Sequence, residues 1–506
     1  MKKSKLIKTF KKLHKWPGLI IGFIAILFAT SGIIMNHRSV FSSVDVSRKV
    51  LPGNYTYNNW NLSALRGSLP FSDGNLVYGN VGVWKTDEQF DHFEDFNLGF
   101  PKGIDNRKVY AVQQFKNQLF AGTHLGLYSR NILNGEWTKV ELNDENSRIS
   151  DLAIKGDTLL VLTRNFLFKT ADGLSFQKIQ LPEPLGYQRK TGLFDTFWQL
   201  HSGELFGLTG KLIVDLLGIV TILLSVTGIL HFFFPRMIKR RKNKAKNTQN
   251  LVAVKKQNLH WHNVAGYVFA LFLFINTFAG IHLRPPLLIA IATKQVGIIP
   301  GTHLDQPNPW FDKLRRIVWD SASQRYLFST SDGFFWADEQ LAQKPEPAFS
   351  QPPVSVMGCN VLEQMDTRRF LVGSFTGMFV WDTGTGLVTD YFTGEPYQAP
   401  TGMTRPIGNQ MVAGMIANKD KAWWFDYNVG AMQLGDKAFP DMPELVRKSS
   451  PMSLWNVSQE VHTGRIFENV LGPFYILIVP LAGLCLLMVL VSGVFIWWMA
   501  FRKKKK

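Results

Sequence analysis

Four segments of the 506-residue chain are apolar over about the length needed to cross a bilayer, and polar, turn-rich sequence separates them. A helix needs roughly 20 apolar residues to cross the hydrocarbon core. The pattern therefore predicts four membrane-spanning helices, at Pro17–Met35, Leu212–Phe234, Val264–Ile281 and Phe474–Trp498. The basic start before the first span is also typical of a secretory signal peptide. No clear A-x-A cleavage pattern follows, so we expect a membrane anchor.

Two long segments between the spans carry paired runs of β-forming residues, each pair joined by a short turn that usually contains Gly or Asn. Such pairs predict hairpins, and their spacing of about 40 residues is that of propeller blades. The hairpins lie at 75–87, 118–131 and 158–172 in the first segment and at 325–338, 369–382 and 421–436 in the second. Three blades alone leave sheet faces unburied. We expect the two segments to share one six-bladed ring, with two smaller β domains as the alternative.

The two halves of the chain carry matching anchor residues. His14 and His262 are each followed 18 residues later by a glycine, Gly32 and Gly280. The sequences that precede the second and fourth spans, LHSGELF and VHTGRIF, are also similar. The pattern indicates a duplication of two halves with the same orientation, related by a pseudo-twofold axis along the membrane normal.

The net charge of +18 is concentrated in three short segments, residues 1–15, 236–258 and 501–506, which hold 21 of the 56 Lys and Arg. The rest of the chain carries 35 basic against 38 acidic residues, which argues against a nucleic-acid-binding protein. Basic charge confined to short loops beside apolar runs marks the cytoplasmic side. We therefore expect a bacterial inner-membrane protein with both termini inside and two large periplasmic segments.

This topology divides the chain into eight parts. They are 1–38 (basic start and first span), 39–193 (first periplasmic β-rich segment), 194–235 (His-x-Gly element and second span), 236–258 (cytoplasmic basic loop), 259–283 (third span), 284–454 (second periplasmic β-rich segment), 455–500 (His-x-Gly element and fourth span) and 501–506 (cytoplasmic basic tail). The predicted fold is a four-helix transmembrane bundle built from two parallel repeats, with a β-rich, propeller-like periplasmic domain.

Eight of the eleven histidines fall near the ends of the predicted spans, at two depths. The inner level holds His14, His231, His260 and His262, and the outer level holds His37, His201, His282 and His462. A histidine near an interface can simply be solvated or reach toward the headgroups. Symmetric pairs at two matched depths are instead a hypothesis of a functional site.

Three uses of these histidines compete. A proton relay needs carboxylates within the membrane, and only Asp215 is available in the spans. A Zn or Cu site usually adds acidic or thiolate ligands, which the spans lack, and the two cysteines exclude an iron–sulfur cluster within this chain. Haem is the best match, because its iron takes two axial imidazoles from facing helices of a bundle.

Symmetry suggests how a haem would be held. Equivalent ligands from each half pair His14 with His262 inside, and either His37 with His282 or His201 with His462 outside. His231 and His260 remain alternative ligands, and Arg38, Arg284 and Arg465 are placed to bind haem propionates. Glycines in the spans would admit the macrocycle, although ordinary helix packing also explains them. His14 and His37 are about 34 Å apart along a helix, a long distance for one direct electron transfer.

These anchors resemble the PepSY-associated transmembrane family. HKWPGLIIGF is similar to its His-x-Trp-x-Gly-Leu start, and LHSGELFGLTG to its Leu-His-x-x-Leu-x-x-Gly-x-x-Gly helix. The resemblance covers the four spans, about a quarter of the chain, and is weaker in the fourth, where the glycine spacing changes. It implies a haem-containing inner-membrane reductase of ferric siderophores, with His14, His37, His201, His262, His282 and His462 as candidate ligands. The outer segments differ from the family pattern, since hairpins stand where a PepSY module is expected.

The sequence thus favours an inner-membrane oxidoreductase that carries one or two haem b groups and passes electrons to a periplasmic acceptor, with a ferric chelate as the leading candidate. The chain has no G-x-G-x-x-G fingerprint, so electrons are expected from membrane quinol or a redox partner. The alternative is a non-enzymatic membrane protein whose outer β domain serves binding, sensing or assembly.

Overall fold

The computed structural model describes residues 3–133, 135–144, 148–355, 358–399, 408–418, 421–434 and 437–501. The basic tail predicted at 501–506 therefore lies, after Phe501, outside the described residues, as do positions 435–436 of the last predicted hairpin. The chain forms two compact units. The helical unit comprises Met1–Phe41, Arg189–Asp305 and Leu454–Lys506, and the β unit comprises Ser42–Gln188 and Gln306–Ser453.

Long helices dominate the helical unit. In a bilayer an apolar segment must pair its own backbone N–H and C=O groups, and an α-helix does this. The α-helices of the described residues are α1 (Lys3–Asn36), α2 (Arg38–Phe41), α3 (Leu193–Ser202), α4 (Gly207–Asn243), α5 (Gln249–Ile281), α6 (Glu444–Lys448), α7 (Leu454–His462), α8 (Glu468–Leu471) and α9 (Ile478–Ile496). Four stretches are long and apolar enough to cross a membrane, and they contain α1, α4, α5 and α9. The predicted spans are therefore confirmed as helices.

The four long helices form a bundle in which each helix packs against two of the others. Helix α1 contacts α4 and α9, and α5 contacts the same two helices. The short α3 packs on α5, whereas its counterpart α7 packs on α1. The short helix of each half therefore packs on the first long helix of the other half, and this exchange interlocks the two halves.

Large apolar side chains cover the outside of this bundle. Ile20, Leu208, Leu271 and Leu481 are each more than half exposed. Apolar surface of this extent is costly in water and is normal where lipid tails replace water. The helical unit is therefore suited to a bilayer.

The helical unit also includes residues 284–305, which the sequence analysis placed in the second β-rich segment. Strand β15 in this stretch pairs with β14 just before α3, with Thr191 opposite Val296. The backbone N–H of Leu193 donates to the carbonyl of Lys294 at 2.7 Å. Pairing with the entry to α3 thus holds this stretch on the helical side.

The described strands are short and mostly antiparallel hairpin partners. They are β1 (Asp45–Val46), β2 (Gly67–Phe71), β3 (Gly74–Gly79), β4 (Gly82–Asp87), β5 (Phe93–Asp95), β6 (Val109–Phe115), β7 (Gln118–Thr123), β8 (Gly126–Asn131), β9 (Thr138–Val140), β10 (Ile149–Lys155), β11 (Thr158–Thr163), β12 (Leu167–Thr170), β13 (Gln177–Ile179), β14 (Lys190–Gly192), β15 (Gln295–Gly297), β16 (Leu314–Asp320), β17 (Arg325–Thr330), β18 (Gly333–Asp338), β19 (Glu346–Pro347), β20 (Cys359–Gln364), β21 (Arg369–Ser374), β22 (Gly377–Asp382), β23 (Val388–Asp390), β24 (Val412–Asn418), β25 (Lys421–Asp426), β26 (Gly430–Gln433) and β27 (Met452–Ser453).

The β unit is a six-bladed propeller in the described part of the chain. Five blades are four-stranded meanders, β2–β5, β6–β9, β10–β13, β16–β19 and β20–β23, and the sixth shows three strands, β24–β26. Each blade begins at its innermost strand. These strands contact their neighbours in the order β2, β6, β10, β16, β20 and β24, and contacts between β24 and β2 close the circle. The two β-rich segments therefore form one ring, with three blades from each.

An aromatic cluster joins the first blade to the last. Trp60 is fully buried, and its indole N–H donates to the carbonyl of Pro440 at 2.8 Å. Its ring lies 5.2 Å from Phe93 and 5.9 Å from Phe439, and Phe439 in turn contacts Trp423 of β25. Burying these rings between blades from opposite ends of the unit stabilises ring closure.

Replacing Trp60 by alanine is expected to destabilise the propeller by about 3–5 kcal/mol, because a large cavity and an unpaired carbonyl remain. Thermal unfolding of the full chain, followed by near-ultraviolet circular dichroism, measures the change. Phe349→Ala is the matched control, since this ring is 75% exposed and its loss should cost less than about 0.5 kcal/mol. Equal shifts in the two variants would contradict the role of Trp60 in closure.

Candidate functional site

Four histidines of the helical unit form two ring pairs, each with one member from each half of the chain. The ring centroids of His14 and His262 are 6.0 Å apart, with an angle of 81° between the ring planes. Those of His201 and His462 are 5.8 Å apart, with an angle of 46°. Of the two outer pairings considered from the sequence, the structure brings together His201 and His462.

Each of these rings lies against a glycine of a neighbouring helix. A β-carbon added to Gly280 would stand 2.6 Å from Cε1 of His201, and one added to Gly493 would stand 2.9 Å from Cε1 of His14. The corresponding distances are 3.2 Å from Gly32 to His462 and 3.4 Å from Gly228 to His262. The glycines therefore leave room that the imidazoles occupy.

The same helix turn also accepts a hydrogen bond from the ring. Nδ1 of His201 donates to the carbonyl of Asn276 at 3.0 Å, four residues before Gly280. The other histidines repeat this i, i+4 arrangement. His14 donates to Val489 at 3.0 Å, His462 donates to Phe28 at 2.9 Å, and His262 has a backbone hydrogen bond to Leu224.

These hydrogen bonds determine the tautomer of the rings. At His262 the hydroxyl of Thr227 donates to the carbonyl of Leu223 at 2.6 Å and therefore accepts from Nδ1 at 2.9 Å. A carbonyl oxygen can only accept, so Nδ1 carries the proton and Nε2 keeps its lone pair. An imidazole that donates through one nitrogen to a backbone carbonyl is oriented and made more basic at the other nitrogen, as in metal-ligating histidines. The two pairs therefore present four Nε2 donors of the kind that binds a metal.

Hydroxyl groups reinforce three of the four contacts. Oγ1 of Thr227 lies 2.9 Å from Nδ1 of His262, Oγ of Ser31 lies 3.1 Å from that of His462, and Oγ of Ser492 lies 3.4 Å from that of His14. At the fourth contact, beside His201, the residue before the glycine is Ala279, which has no hydroxyl group. There Asn276 adds a second bond, because its side-chain amide donates to the backbone carbonyl of His201 at 2.8 Å.

The spacing of each pair suits one shared metal ion. With metal–nitrogen bonds of about 2 Å, two imidazoles on opposite sides of an ion have ring centres about 6 Å apart. Among the described residues, no group of three or more His, Cys, Asp or Glu could hold a metal. Two protein ligands leave four positions of an octahedral ion for other donors, and the four nitrogens of a haem macrocycle meet that need. The donor set therefore fits haem iron.

The two pairs stand at different levels of the same helices. His14 marks the inner level on α1, and Gly32, which contacts His462, marks the outer level. Eighteen residues separate them, about 27 Å along a helix. His262 and Gly280 mark the same two levels on α5. The two levels are therefore about 27 Å apart along the helix, which is shorter than the distance of about 34 Å between His14 and His37.

His37 and His282, the other outer candidates, have different surroundings. Nε2 of His37 lies 2.6 Å from Oδ2 of Asp215, and the side-chain amide of Asn36 donates to Oδ1 of the same carboxylate at 3.0 Å. The ring of His282 packs on Phe278 and Phe197, and its Nδ1 donates to the carbonyl of Phe278 on its own helix at 2.8 Å. Nε2 of His37 is thus hydrogen-bonded to the carboxylate of Asp215.

The two alternative inner ligands lie beside the inner pair rather than within it. His260 is exposed and contacts Trp261 edge-on, with ring centroids 5.7 Å apart. His231 is partly buried near His262, and its Nδ1 is buried without a hydrogen-bond partner among the described residues.

The three predicted propionate-binding arginines have different partners. The Arg38 guanidinium stacks on Trp455 at 3.9 Å from the ring centroid. Arg465 donates to Glu460 at 2.5 Å, and Arg284 interacts with the charges of both. Burial and the like charge of Arg465 lower the pKa of Arg284. Both arginines thus lie near one carboxylate, and Arg284 also contacts Tyr475. Nε of each arginine is buried without a hydrogen bond in the described part of the chain. A further anion would be stabilised here.

Sequence reasoning missed Gly493 and the carbonyl acceptors. A signal was present, because a small residue followed by glycine occurs at all four contacts: Ser31-Gly32, Thr227-Gly228, Ala279-Gly280 and Ser492-Gly493. The carbonyl four residues earlier belongs to any residue type, so sequence alone could not reveal it.

The chain was compared with solved structures, with curated proteins and with protein families. Among solved structures, the extracellular domain of a putative hybrid two-component system from B. thetaiotaomicron is 12% identical, with a TM-score of 0.33. The match covers 78% of this chain and 40% of that domain. The Cps50 β-propeller domain of Myceliophteria thermophila is 7% identical with a TM-score of 0.32, and the match covers 74% of this chain and 98% of that one. No curated protein matches the chain.

The family comparison matches the chain twice. The sequence pattern of the PepSY-associated TM region matches residues 2–236 and again residues 232–500. The two matches meet at residues 232–236, just before the basic loop, and their repetition confirms the duplication inferred from the anchors. Together they cover nearly the whole sequence, and the chain therefore belongs to the PepSY-associated TM family.

Proposed function

We propose that this protein is a membrane oxidoreductase with two haem b groups, held by His14 and His262 at one level and by His201 and His462 at the other. One observation carries the proposal. Four histidines, two from each half, all hydrogen-bond through Nδ1 to a neighbouring helix and meet in pairs with ring centres about 6 Å apart, the spacing of two ligands on one ion.

Haem supplies one-electron chemistry when bound between such ligands. The chain contributes the orientation of the ligands through the carbonyls of Val489, Leu224, Asn276 and Phe28. The glycines admit the rings close to the helix backbones. The surrounding apolar helices keep water away, and low polarity strengthens every interaction inside the site.

The arginine pair supports an assignment for the outer site. Arg284 and Arg465 share Glu460, so one positive charge is left without an acidic partner among the three groups. A haem propionate would neutralise it, and the planar guanidinium suits a carboxylate. Arg38, which stacks on Trp455, is a third candidate at this level.

The distribution of basic charge supports a topology for this proposal. Basic segments favour the cytoplasmic side, so we propose that both termini and the 236–258 loop lie there and that the level of His201 and His462 faces the periplasm. We propose that electrons enter from membrane quinol or a redox partner and leave to a periplasmic acceptor, with a ferric chelate as the leading candidate. Two levels along α1 and α5 provide a path across the bilayer.

The purified protein is expected to be red and to bind about two haem groups per chain. Its reduced-minus-oxidised spectrum should show b-type bands, and adding a ferric chelate to the reduced protein should restore the oxidised spectrum. Measured haem content, by the pyridine haemochrome method, checks the stoichiometry. A colourless protein from haem-replete cells would contradict the proposal, and a red protein that ferric chelates do not reoxidise would contradict the acceptor.

A further inference from the structure

One end of the propeller channel carries a group of arginines around a tyrosine. Arg66 immediately precedes β2 and Arg148 immediately precedes β10, the innermost strands of the first and third blades. Tyr110 is the second residue of β6, the innermost strand of the blade between them. All three thus lie where innermost strands begin, at the same end of the ring.

Both guanidinium groups lie over the ring of Tyr110. The Arg66 guanidinium carbon is 5.0 Å from the ring centroid, and that of Arg148 is 5.4 Å from it. Arg66 also donates to Oδ1 of Asn360, at the start of β20, at 3.4 Å. Blades one, two, three and five therefore contribute to this group.

Arg164 adds a third cation from the β11–β12 turn. Its Nε lies 3.4 Å from Oδ1 of Asp312, a largely exposed carboxylate. Burial, followed by the like charge of Arg148, lowers the pKa of Arg164 to about 10. Burial lowers the pKa of Arg66 as well, and the charges of Arg148 and Arg316 act in the same direction. The cations thus repel one another inside the channel.

The described carboxylates near this group have partners of their own. Asp151 pairs with Arg316, at 3.2 Å from its Nε, and Glu363 faces the same arginine. Burial raises the pKa of both acids. Asp312 lies beside Arg164 and is largely exposed.

These arginines also have buried N–H groups without a hydrogen-bond acceptor among the described residues, Nε of Arg66 and Nη1 of Arg164. Nε of Arg164 is buried as well and has the ion-pair contact with Asp312 rather than a hydrogen bond. A buried N–H of a charged group left without an acceptor destabilises the folded state, because its hydration is lost and not replaced. An oxyanion that accepts from them would remove this cost and the repulsion together.

We infer that Arg66, Arg148 and Arg164 form a binding site in the propeller channel for a small, multiply charged oxyanion. Guanidinium forks bind carboxylate and phosphate groups through paired hydrogen bonds, so both chemistries suit the site. The identity of the ligand rests on the proposed function. On that basis the natural ligand is a ferric chelate built from carboxylates, and the propeller selects anionic over neutral chelates.

Isothermal titration calorimetry of the full chain in detergent tests this site with citrate, ferric citrate, inorganic phosphate and a neutral ferric hydroxamate. We expect the anions to bind and the neutral chelate not to bind, with affinity falling as salt is added. Tighter binding of citrate identifies a carboxylate site, and tighter binding of phosphate identifies a phosphate site. Failure of every anion to bind would overturn the inference.

Variants locate the site. Arg148→Gln and Arg66→Gln should each weaken anion binding at least about tenfold, the effect of losing one charged hydrogen-bonding partner. Arg130→Gln is the matched control, because Arg130 also stacks on an aromatic ring, Phe96 at 3.6 Å, and also has a buried, unpaired Nε, but lies on β8. Equal binding by all variants would overturn the assignment. Arg148 is only partly buried, so its variant decides the question where Arg66→Gln fails to fold.

The haem spectrum of the same samples separates this inference from the proposed function. A haem-free protein that binds citrate through these arginines would contradict the oxidoreductase and leave the anion site standing. A haem-replete protein that binds no anion would contradict only the channel site.

Discussion

Replacing His262 by alanine is expected to remove the inner haem and to leave the outer one, so that haem content falls by about half. The ring donates Nδ1–H to α4 and faces His14 across 6.0 Å, and no other imidazole replaces it at that spacing in the described inner pair. His201→Ala should remove the other half. Haem content of the purified variants, together with a redox titration, measures both losses.

Matched controls come from the histidines outside the pairs. His37 is engaged by Asp215 and His282 by the carbonyl of Phe278. Alanine at either position should therefore leave haem content unchanged. An unchanged spectrum in His262→Ala would instead move the inner ligand to His260 or His231, and a loss in His282→Ala would contradict the outer pair assigned here.

Replacing Gly280 by alanine is expected to displace His201 and to weaken the outer haem site selectively. The added methyl group would stand 2.6 Å from Cε1 of the ring, which is too close, so the ring or α3 must move. Overpacking of this kind typically costs about 1–3 kcal/mol, or roughly 5- to 150-fold in affinity. Loss of the outer haem with retention of the inner one, read from the redox titration, is the expected result.

Gly266→Ala on the same helix is the matched control. Its added carbon would meet Leu224 at 3.8 Å, an ordinary contact. Alanine also favours a helix over glycine by about 0.5–1 kcal/mol, so this variant should be neutral or slightly more stable. If both glycine variants lost haem equally, the close approach of ring and helix would have no special role.

The packing of the two halves explains why each first helix carries a histidine and a glycine 18 residues apart. His14 and Gly32 lie on one helix, but they serve different pairs, because His14 faces His262 whereas Gly32 supports His462. His262 and Gly280 do the same on α5. Each first helix therefore supplies a histidine at one level and a glycine at the other, so the duplication repeats both contacts.

Most of the fold could be predicted from local pattern. The apolar runs determined the four helices, because the length of a span depends only on its own residues and the bilayer thickness. Alternating β-forming runs predicted all six blades for a similar reason, since a hairpin is a local structure. The alternative of two smaller β domains was decided by contacts between β24 and β2, which join residues more than 300 positions apart.

The histidines show where local reasoning ends. Sequence alone determined that the halves are duplicated and that glycines follow at a fixed distance, and it predicts two depths for eight of the histidines. Only the tertiary structure decided that His201 faces His462, that His37 binds Asp215, and that four carbonyls accept from the paired rings. The physical reason is that depth is set along one helix, whereas the partner of an imidazole is set by which helices pack together and by their rotation about their own axes.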